Sequence, residues 1–316
     1  MLNGKVVTLF GGSGFVGRAV VAHLARAGYT VRIASRTPKS CYTLTLMGVP
    51  GQVIAQFYNP ARPDTVSAAV SGSHAVINCV GILFEKGRRT FHAAHVELPR
   101  QIATACKLHH VGQFVHISAL GIDTNTSAYA TSKRQGEQVI KDIFPKVTIL
   151  RPSVIFGPND SFFNMFARIA QFLPALPLIG GGKTRFQPVY VDDVAQAVAH
   201  AIDTQNMKGK TYELAGPDTL TFKELYQKLF QYTGRPRALI PLSPTLARIK
   251  AWFLEFLPTP PLTRDQITSL QYDNVTSSGA LTFKDMGIIP VAMDSILPTY
   301  LSCYRDGGKY GDFKHA

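Results

Sequence analysis

Cysteine is scarce and scattered. Cys41, Cys79, Cys106 and Cys303 include no C-x-x-C pair, which argues against a thiolate zinc site or a disulfide framework and fits a reducing compartment. Nine histidines contain no H-E-x-x-H or other ligand spacing, so no metal centre is expected. No apolar run of about 18 residues is free of charge, so no membrane-crossing helix is expected. The opening Met1-Leu-Asn-Gly-Lys5 leads almost at once into a strand pattern and is read as carrying no signal or transit peptide. Acidic residues are few: 20 Asp and Glu stand against 33 Lys and Arg, a net charge of +13. The excess favours an anionic partner such as a nucleotide, nucleic acid, acidic protein or anionic membrane. No long Lys/Arg block is present, which argues against a dedicated nucleic-acid arm.

A hydrophobic content of 46% is enough for a full globular core. The most informative stretch is residues 5–36. Val6, Val7, Leu9 and Phe10 form a short β-rich apolar run, too short for a helix, and read as a buried strand. Gly11-Gly-Ser-Gly-Phe-Val-Gly17 follows, with Gly11, Gly14 and Gly17 spaced as G-x-x-G-x-x-G. Residues 16–27 read as a helix that stops at Gly28, and 29–34 as a second strand. In such a βαβ unit the glycines permit positive φ and let backbone approach a pyrophosphate at the helix start. Gly11, Gly12, Ser13, Gly14, Phe15 and Val16 are therefore candidate nucleotide contacts. The second strand ends Ser35-Arg36 with no carboxylate to hold a ribose 2′-OH. A hydroxyl and a guanidinium suit a 2′-phosphate, so NADP(H) is expected over NAD(H).

Strand patterns at 53–58, 74–80, 113–118 and 147–150 alternate with helical patterns at 63–71, 90–109 and 128–143. This predicts an α/β fold, a Rossmann-type doubly wound parallel sheet. Ligands bind such sheets at the carboxyl ends of the strands, which adds Asn59, Cys79, Val80, Gly81, Ser118, Pro152 and Ser153 to the candidates. From Arg151 the prolines cluster and the spacing becomes irregular. Residues 1–150 are read as the nucleotide-binding domain. Residues 151–316 are read as a smaller segmented C-terminal lobe with pieces returning to the sheet, one of them the strand and helix around Pro188–Val198.

Tyr129-Ala-Thr-Ser-Lys133 puts a phenol and an ammonium on one helix face. The ammonium is expected to lower the Tyr129 pKa for acid/base use, and Ser118 is placed to bond a substrate carbonyl. Ser118, Tyr129 and Lys133 are thus a candidate catalytic trio for hydride transfer from a nicotinamide, as well as candidate cofactor contacts.

These motifs, with Arg151-Pro-Ser-Val-Ile-Phe-Gly-Pro158 and Val189-Tyr-Val-Asp-Asp-Val-Ala195, resemble the short-chain dehydrogenase/reductases of the extended, epimerase-like and atypical kind. The resemblance implies that Pro152, Ser153 and Val154 lie near the nicotinamide, and that Asn78 and Gly81 lie beside the adenine and its ribose. Tyr129 follows Ser118 by only eleven positions, shorter than in most catalytic extended members, which leaves little loop to shape a substrate pocket.

Two later stretches are amphipathic. Phe162, Phe166, Ile169 and Leu173 form one stripe over 162–173 and read as core. Over 244–257, Leu246, Ile249, Phe253 and Phe256 share a face with Trp252 beside it and Arg248 and Lys250 elsewhere. That pattern fits a helix on anionic lipid, one docking on a protein, or one closing the lobe over the cofactor. Asp192-Asp193 and His109-His110 are read as partners of helix dipoles.

With Thr263-Arg-Asp-Gln266 and Asp273-Asn-Val275, the chain further resembles the nucleotide-binding accessory subunit of respiratory complex I and its alphaproteobacterial relatives. What this implies is an NADP(H)-binding accessory or assembly subunit of the peripheral arm, near the membrane and the quinone region. It would be peripheral, on the cytoplasmic side of a bacterial inner membrane, with complex I subunits and an anionic membrane surface as partners and no nucleic acid. A free NADP-dependent oxidoreductase or epimerase, acting through Tyr129, Lys133 and Ser118 on a carbonyl, sugar or quinone-like substrate, is the alternative. An RNA-binding member of the superfamily is a third, weaker one.

Overall fold

A computed structural model describes residues 2–308. In chain order the elements of the first half are β1 (Val6–Phe10), α1 (Phe15–Arg26), β2 (Thr30–Ser35), α2 (Tyr42–Thr45), β3 (Val53–Phe57), α3 (Pro63–Val70), β4 (Ala75–Asn78), α4 (Leu98–Leu108), β5 (Gln113–Ile117), α5 (Ala128–Ile143) and β6 (Thr148–Pro152). There follow β7 (Ile155–Phe156), α6 (Phe163–Phe172), β8 (Ala175–Ile179), β9 (Arg185–Phe186), β10 (Val189–Tyr190), α7 (Val191–Asp203), β11 (Thr211–Leu214), β12 (Leu220–Thr221), α8 (Phe222–Thr233), β13 (Ala238–Leu242), α9 (Pro244–Leu254), α10 (Arg264–Ser269) and α11 (Met293–Leu301).

Seven strands form one parallel sheet in the order β11-β6-β5-β4-β1-β2-β3. This is the doubly wound α/β sheet that the alternating pattern predicts. Side chains alternate along each strand, so one strand feeds two cores. Val7 and Leu9 of β1 pack with Val20, Val21 and Leu24 of α1 and with Val194 and Val198 of α7. Phe10 points the other way, to Val66 and Val70 of α3 and Ile102 and Cys106 of α4. The β1/β4 junction is where strand order reverses, and it brings the carboxyl ends of both strands to one crevice.

A third apolar cluster joins Phe163 of α6, Leu176 of β8, Phe222 and Tyr226 of α8 and Leu297 of α11. The expected stripe on α6 is shifted: Phe163, Ala167 and Ala170 are the fully buried positions, Phe162, Phe166 and Ile169 pack half-buried, and Leu173 is exposed. The segment around Pro188–Val198 also differs from expectation. Its helix, α7, packs on the sheet, but β10 pairs with β7 in a separate ribbon. The strand that returns to the main sheet is β11, paired with β6, where Tyr212 and Leu214 alternate with polar Thr211 and Glu213.

The helix predicted over 90–109 is not uniform. Ahead of α4, residues 93–97 widen into a π-type turn, a feature frequent at functional sites. It packs tightly on α5: a Cβ at Gly136 would overlap the His95 carbonyl oxygen.

Candidate functional site

The turn after β1 is built for close backbone approach. Gly11 has φ +82°, and a Cβ there would lie 2.9 Å from the Cys79 carbonyl carbon. At Gly17 a Cβ would overlap the Gly11 carbonyl oxygen, so only glycine lets α1 sit on the turn. Gly12 is buried against Ile33, while Ser13 and Gly14 are exposed and Phe15 and Val16 half-buried. Gly14 caps α1 without a side-chain hydrogen bond, and the first turn holds no acid. Its free N–H groups and positive dipole end therefore face outward, as an anion site requires.

At the end of β2, the Ser35 hydroxyl accepts the Thr37 N–H at 3.1 Å and keeps its own proton to donate. Arg36 is exposed, and no carboxylate pairs with it among the described residues. Tyr58 nearby is buried and edge-on to Phe10 at 5.1 Å. Asn59 is occupied locally: its N–H donates to Thr65 Oγ1 and its Oδ1 accepts from Ala61.

At the end of β4, Asn78 is fully buried. Its Oδ1 accepts the Val80 N–H and its Nδ2 donates to His116 Nδ1. Cys79 is half-buried, and burial pushes its thiol up to about 12, with Lys133 opposing. Val80 is half-buried and Gly81 exposed. Lys133 reaches this point from α5: its Nζ lies 3.5 Å from where a Gly81 Cβ would sit, and it donates to the Ile117 carbonyl at 3.2 Å. Lys133 is buried, and burial lowers its pKa to about 8 against the pull of Glu137.

His95 completes the cluster, and sequence reasoning did not find it. Its Nε2 accepts the Ile82 N–H at 3.1 Å, which puts the ring proton on Nδ1. Nδ1–H then donates to Ser132 Oγ at 2.8 Å, and that hydroxyl donates to the Tyr129 carbonyl at 2.7 Å. The Tyr129 ring stands edge-on to His95 at 5.3 Å and to Phe91 at 5.9 Å. Burial, reinforced by Lys133, holds the His95 pKa down at about 3 and His116 well below its ordinary value. The only sequence signal was Ser132 inside the Tyr129–Lys133 segment.

Ser118 and Tyr129 are both at this crevice. The Ser118 hydroxyl is buried and has no hydrogen-bond partner among the described residues. Burial pushes the Tyr129 phenol up to about 12, which corrects the expected lowering. Lys133 donates one of its three N–H groups to the Ile117 carbonyl, and its charge is felt by Cys79, His95 and His116. Tyr129 is therefore a neutral phenol near pH 7.

The tail motifs close the site. The Asp265 carboxylate accepts the Ala128 and Tyr129 N–H groups, and Ser127 caps the same helix through the Ala130 N–H. Asn274 accepts the Ser153 hydroxyl at 2.6 Å and the Val154 N–H at 3.1 Å, and donates to the Leu120 carbonyl at 2.9 Å. Pro152 accepts the Leu120 N–H, and Ser153 N–H donates to Leu214. The Ser153 hydroxyl is thus committed to the fold. Asp192 holds His23 of α1 at 2.9 Å, while Asp193 accepts the Val291 N–H; both lie in the first turn of α7, as dipole pairing requires.

Comparison with known proteins gives the same picture. Residues 7–215 match the NAD dependent epimerase/dehydratase family. The "NADH dehydrogenase [ubiquinone] 1 alpha subcomplex subunit 9, mitochondrial" of Arabidopsis thaliana is 32% identical over 320 residues, covering 97% of this chain and 80% of the plant protein. Its counterpart from Rattus norvegicus is 34% identical over 300 residues, covering 93% and 78%. An NADPH-dependent quinone oxidoreductase from Escherichia coli, solved with NADPH, superposes with a TM-score of 0.75 at 19% identity, covering 94% of this chain and 98% of that one, a likeness of fold. The chain belongs to the NAD dependent epimerase/dehydratase family and, within it, to the family of alpha subcomplex subunit 9 of NADH:ubiquinone oxidoreductase.

Proposed function

We propose that this chain holds NADP(H) as an accessory or assembly subunit of respiratory NADH:ubiquinone oxidoreductase, in a largely structural role near the membrane and quinone region. The glycine turn fits the pyrophosphate, because any side chain at Gly11 or Gly17 would fill the space the backbone needs. Ser35 Oγ–H and the exposed Arg36 fit a 2′-phosphate. Lys133, Tyr129, Ser118 and the 152–154 segment line the far end. A bound nicotinamide would supply hydride chemistry there.

The observation that carries the structural role is the tail. Asp265 and Asn274 bind the backbone of Tyr129, Val154 and Leu120 and the Ser153 hydroxyl, so the groups around the site serve to hold the fold together. Gentle solubilisation of native membranes, followed by mass spectrometry of the released nucleotide and identification of co-purifying chains, tests the reading. NADP(H) and quinone-reductase subunits are expected. An empty protein, or one that migrates alone, would refute it.

One observation favours catalysis instead: the Ser118 hydroxyl is buried and unpaired. In that second reading the chain is a free NADP-dependent oxidoreductase or epimerase. Substrate-dependent loss of NADPH absorbance, abolished by Tyr129→Phe, would establish it.

A further inference from the structure

Helix α9 packs by its small side. Ala247 and Ala251, both fully buried, meet Ile267 of α10. The large side chains face outward: Leu246 is 55% exposed, Ile249 54%, Trp252 45% and Phe253 63%, followed just past the helix by Phe256 at 74% and Leu257 at 49%. At 3.6 residues per turn, Leu246, Ile249, Trp252 and Phe253 occupy an arc of roughly 120° on the helix, and Phe256 and Leu257 follow in the turn past its end. Lys250 borders one edge of the arc and Arg248 lies beyond the other; both are exposed. The aromatics pack edge to face, the Trp252 ring centre lying 4.8 Å from that of Phe253 and 5.4 Å from that of Phe256.

More cations lie at the end of this face. Residues 86–89, Lys-Gly-Arg-Arg, form a tight hairpin closed by reciprocal Lys86–Arg89 backbone bonds of 3.0 Å. Lys86 Nζ donates to the Pro258 carbonyl at 2.8 Å, which holds the hairpin against the exit of α9. Lys86, Arg88 and Arg89 are exposed, and no carboxylate pairs with them among the described residues. Of the nearby acids, Glu255 pairs with Arg264 at 2.9 Å, and Glu85, which accepts the Phe91 N–H, offsets one of the hairpin's three cations and leaves it net positive.

We infer that α9 and the 86–89 hairpin form a seat for an anionic bilayer surface. The apolar arc enters the headgroup–acyl boundary, Trp252 sits at the polar interface, and Arg248, Lys250, Lys86, Arg88 and Arg89 take the lipid phosphates. A bulky apolar face bordered by net positive charge matches lipid in both polarity and charge. No helix among the described residues is long and apolar enough to cross a membrane, so the contact lies in the interface plane. This inference rests on α9 and the hairpin and does not depend on nucleotide binding. The seat is joined to the site, because Ile267 beneath α9 is two residues from Asp265, the cap of the helix that carries Tyr129 and Lys133.

Trp252 is the one tryptophan in the chain and lies in the proposed face, so its fluorescence reports the contact directly. The full-length protein is titrated with vesicles of phosphatidylcholine alone, or with one part in three phosphatidylglycerol, with and without brominated acyl chains. A blue shift and bromine quenching are expected with the anionic vesicles and not with the neutral ones. Arg88→Gln and Arg89→Gln should each weaken partitioning about fivefold. Phe253→Ser with Phe256→Ser should abolish quenching while leaving circular dichroism and thermal unfolding unchanged. Unaltered Trp252 emission with anionic vesicles would overturn the inference. So would undiminished binding by the Phe variants, or photo-crosslinking from position 252 in native membranes that captures protein and no lipid.

Discussion

The Asp265 carboxylate accepts the backbone N–H groups of Ala128 at 2.7 Å and Tyr129 at 3.1 Å, reaching across 136 residues to the latter. An anionic acceptor at the positive end of a helix is worth more than a neutral cap. Asp265→Ala should lower global stability by about 1–2 kcal/mol, read as a lower urea midpoint at unchanged slope. It should also weaken NADPH binding, because the freed turn carries Tyr129.

Arg36 should choose the nucleotide. Arg36→Ala removes a charge-assisted contact worth about 1.5–3 kcal/mol, roughly 10- to 150-fold in NADPH affinity. NADH affinity should not change. Fluorescence titration of both nucleotides against both proteins measures the split, and equal loss for the two would remove the 2′-phosphate assignment.

Arg151 forms a two-bond fork with buried Glu137 at 2.9 and 2.8 Å, and bonds Asp123 with the rest of its guanidinium. Arg151→Met leaves the Glu137 charge buried, with Lys141 3.7 Å away as its remaining partner. The expected loss is about 3–5 kcal/mol. Adding Glu137→Gln should recover much of it, and a double-mutant cycle in urea gives the coupling.

Stability should fall steeply in acid. His95 has its pKa depressed by burial from 6.5 to about 3, and His116 is depressed in the same direction. Between these values the unfolded chain binds protons that the folded chain refuses, so stability rises with pH across the window and is lost as pH falls through it. His95→Gln should flatten the slope between pH 6.5 and 3, with the His116 contribution remaining. Lys133 acts in the same sense at higher pH: with a folded value near 8 against 10.5, it adds stability as pH climbs from 8 to 10.5. Urea unfolding at successive pH values follows both windows.

Local periodicity was enough to reveal the βαβ opening, the alternation that makes a parallel sheet, and the shared face of Tyr129 and Lys133. Each depends on residues a few positions apart whose geometry the backbone repeat sets. The Thr263–Gln266 and Asp273–Val275 segments stood out as motifs, but their contacts did not, because Asp265 and Asn274 act on a helix start and on loops more than a hundred residues away. Beyond its partner Ser132, nothing in the sequence pointed to His95, since its role depends on a π-type turn meeting Gly136.

Two matters were decided by tertiary structure alone. The amphipathic pattern of 244–257 marked out a bulky face, yet the close approach of α10 selects Ala247 and Ala251 for the inside and leaves the aromatics exposed. The spacing of Tyr129 and Lys133 suggested a lowered phenol pKa, but desolvation, which spacing cannot reveal, raises it. Sequence by itself determined which chemical groups this protein carries and which share a local face. Burial and long-range packing determined their charge and what they meet.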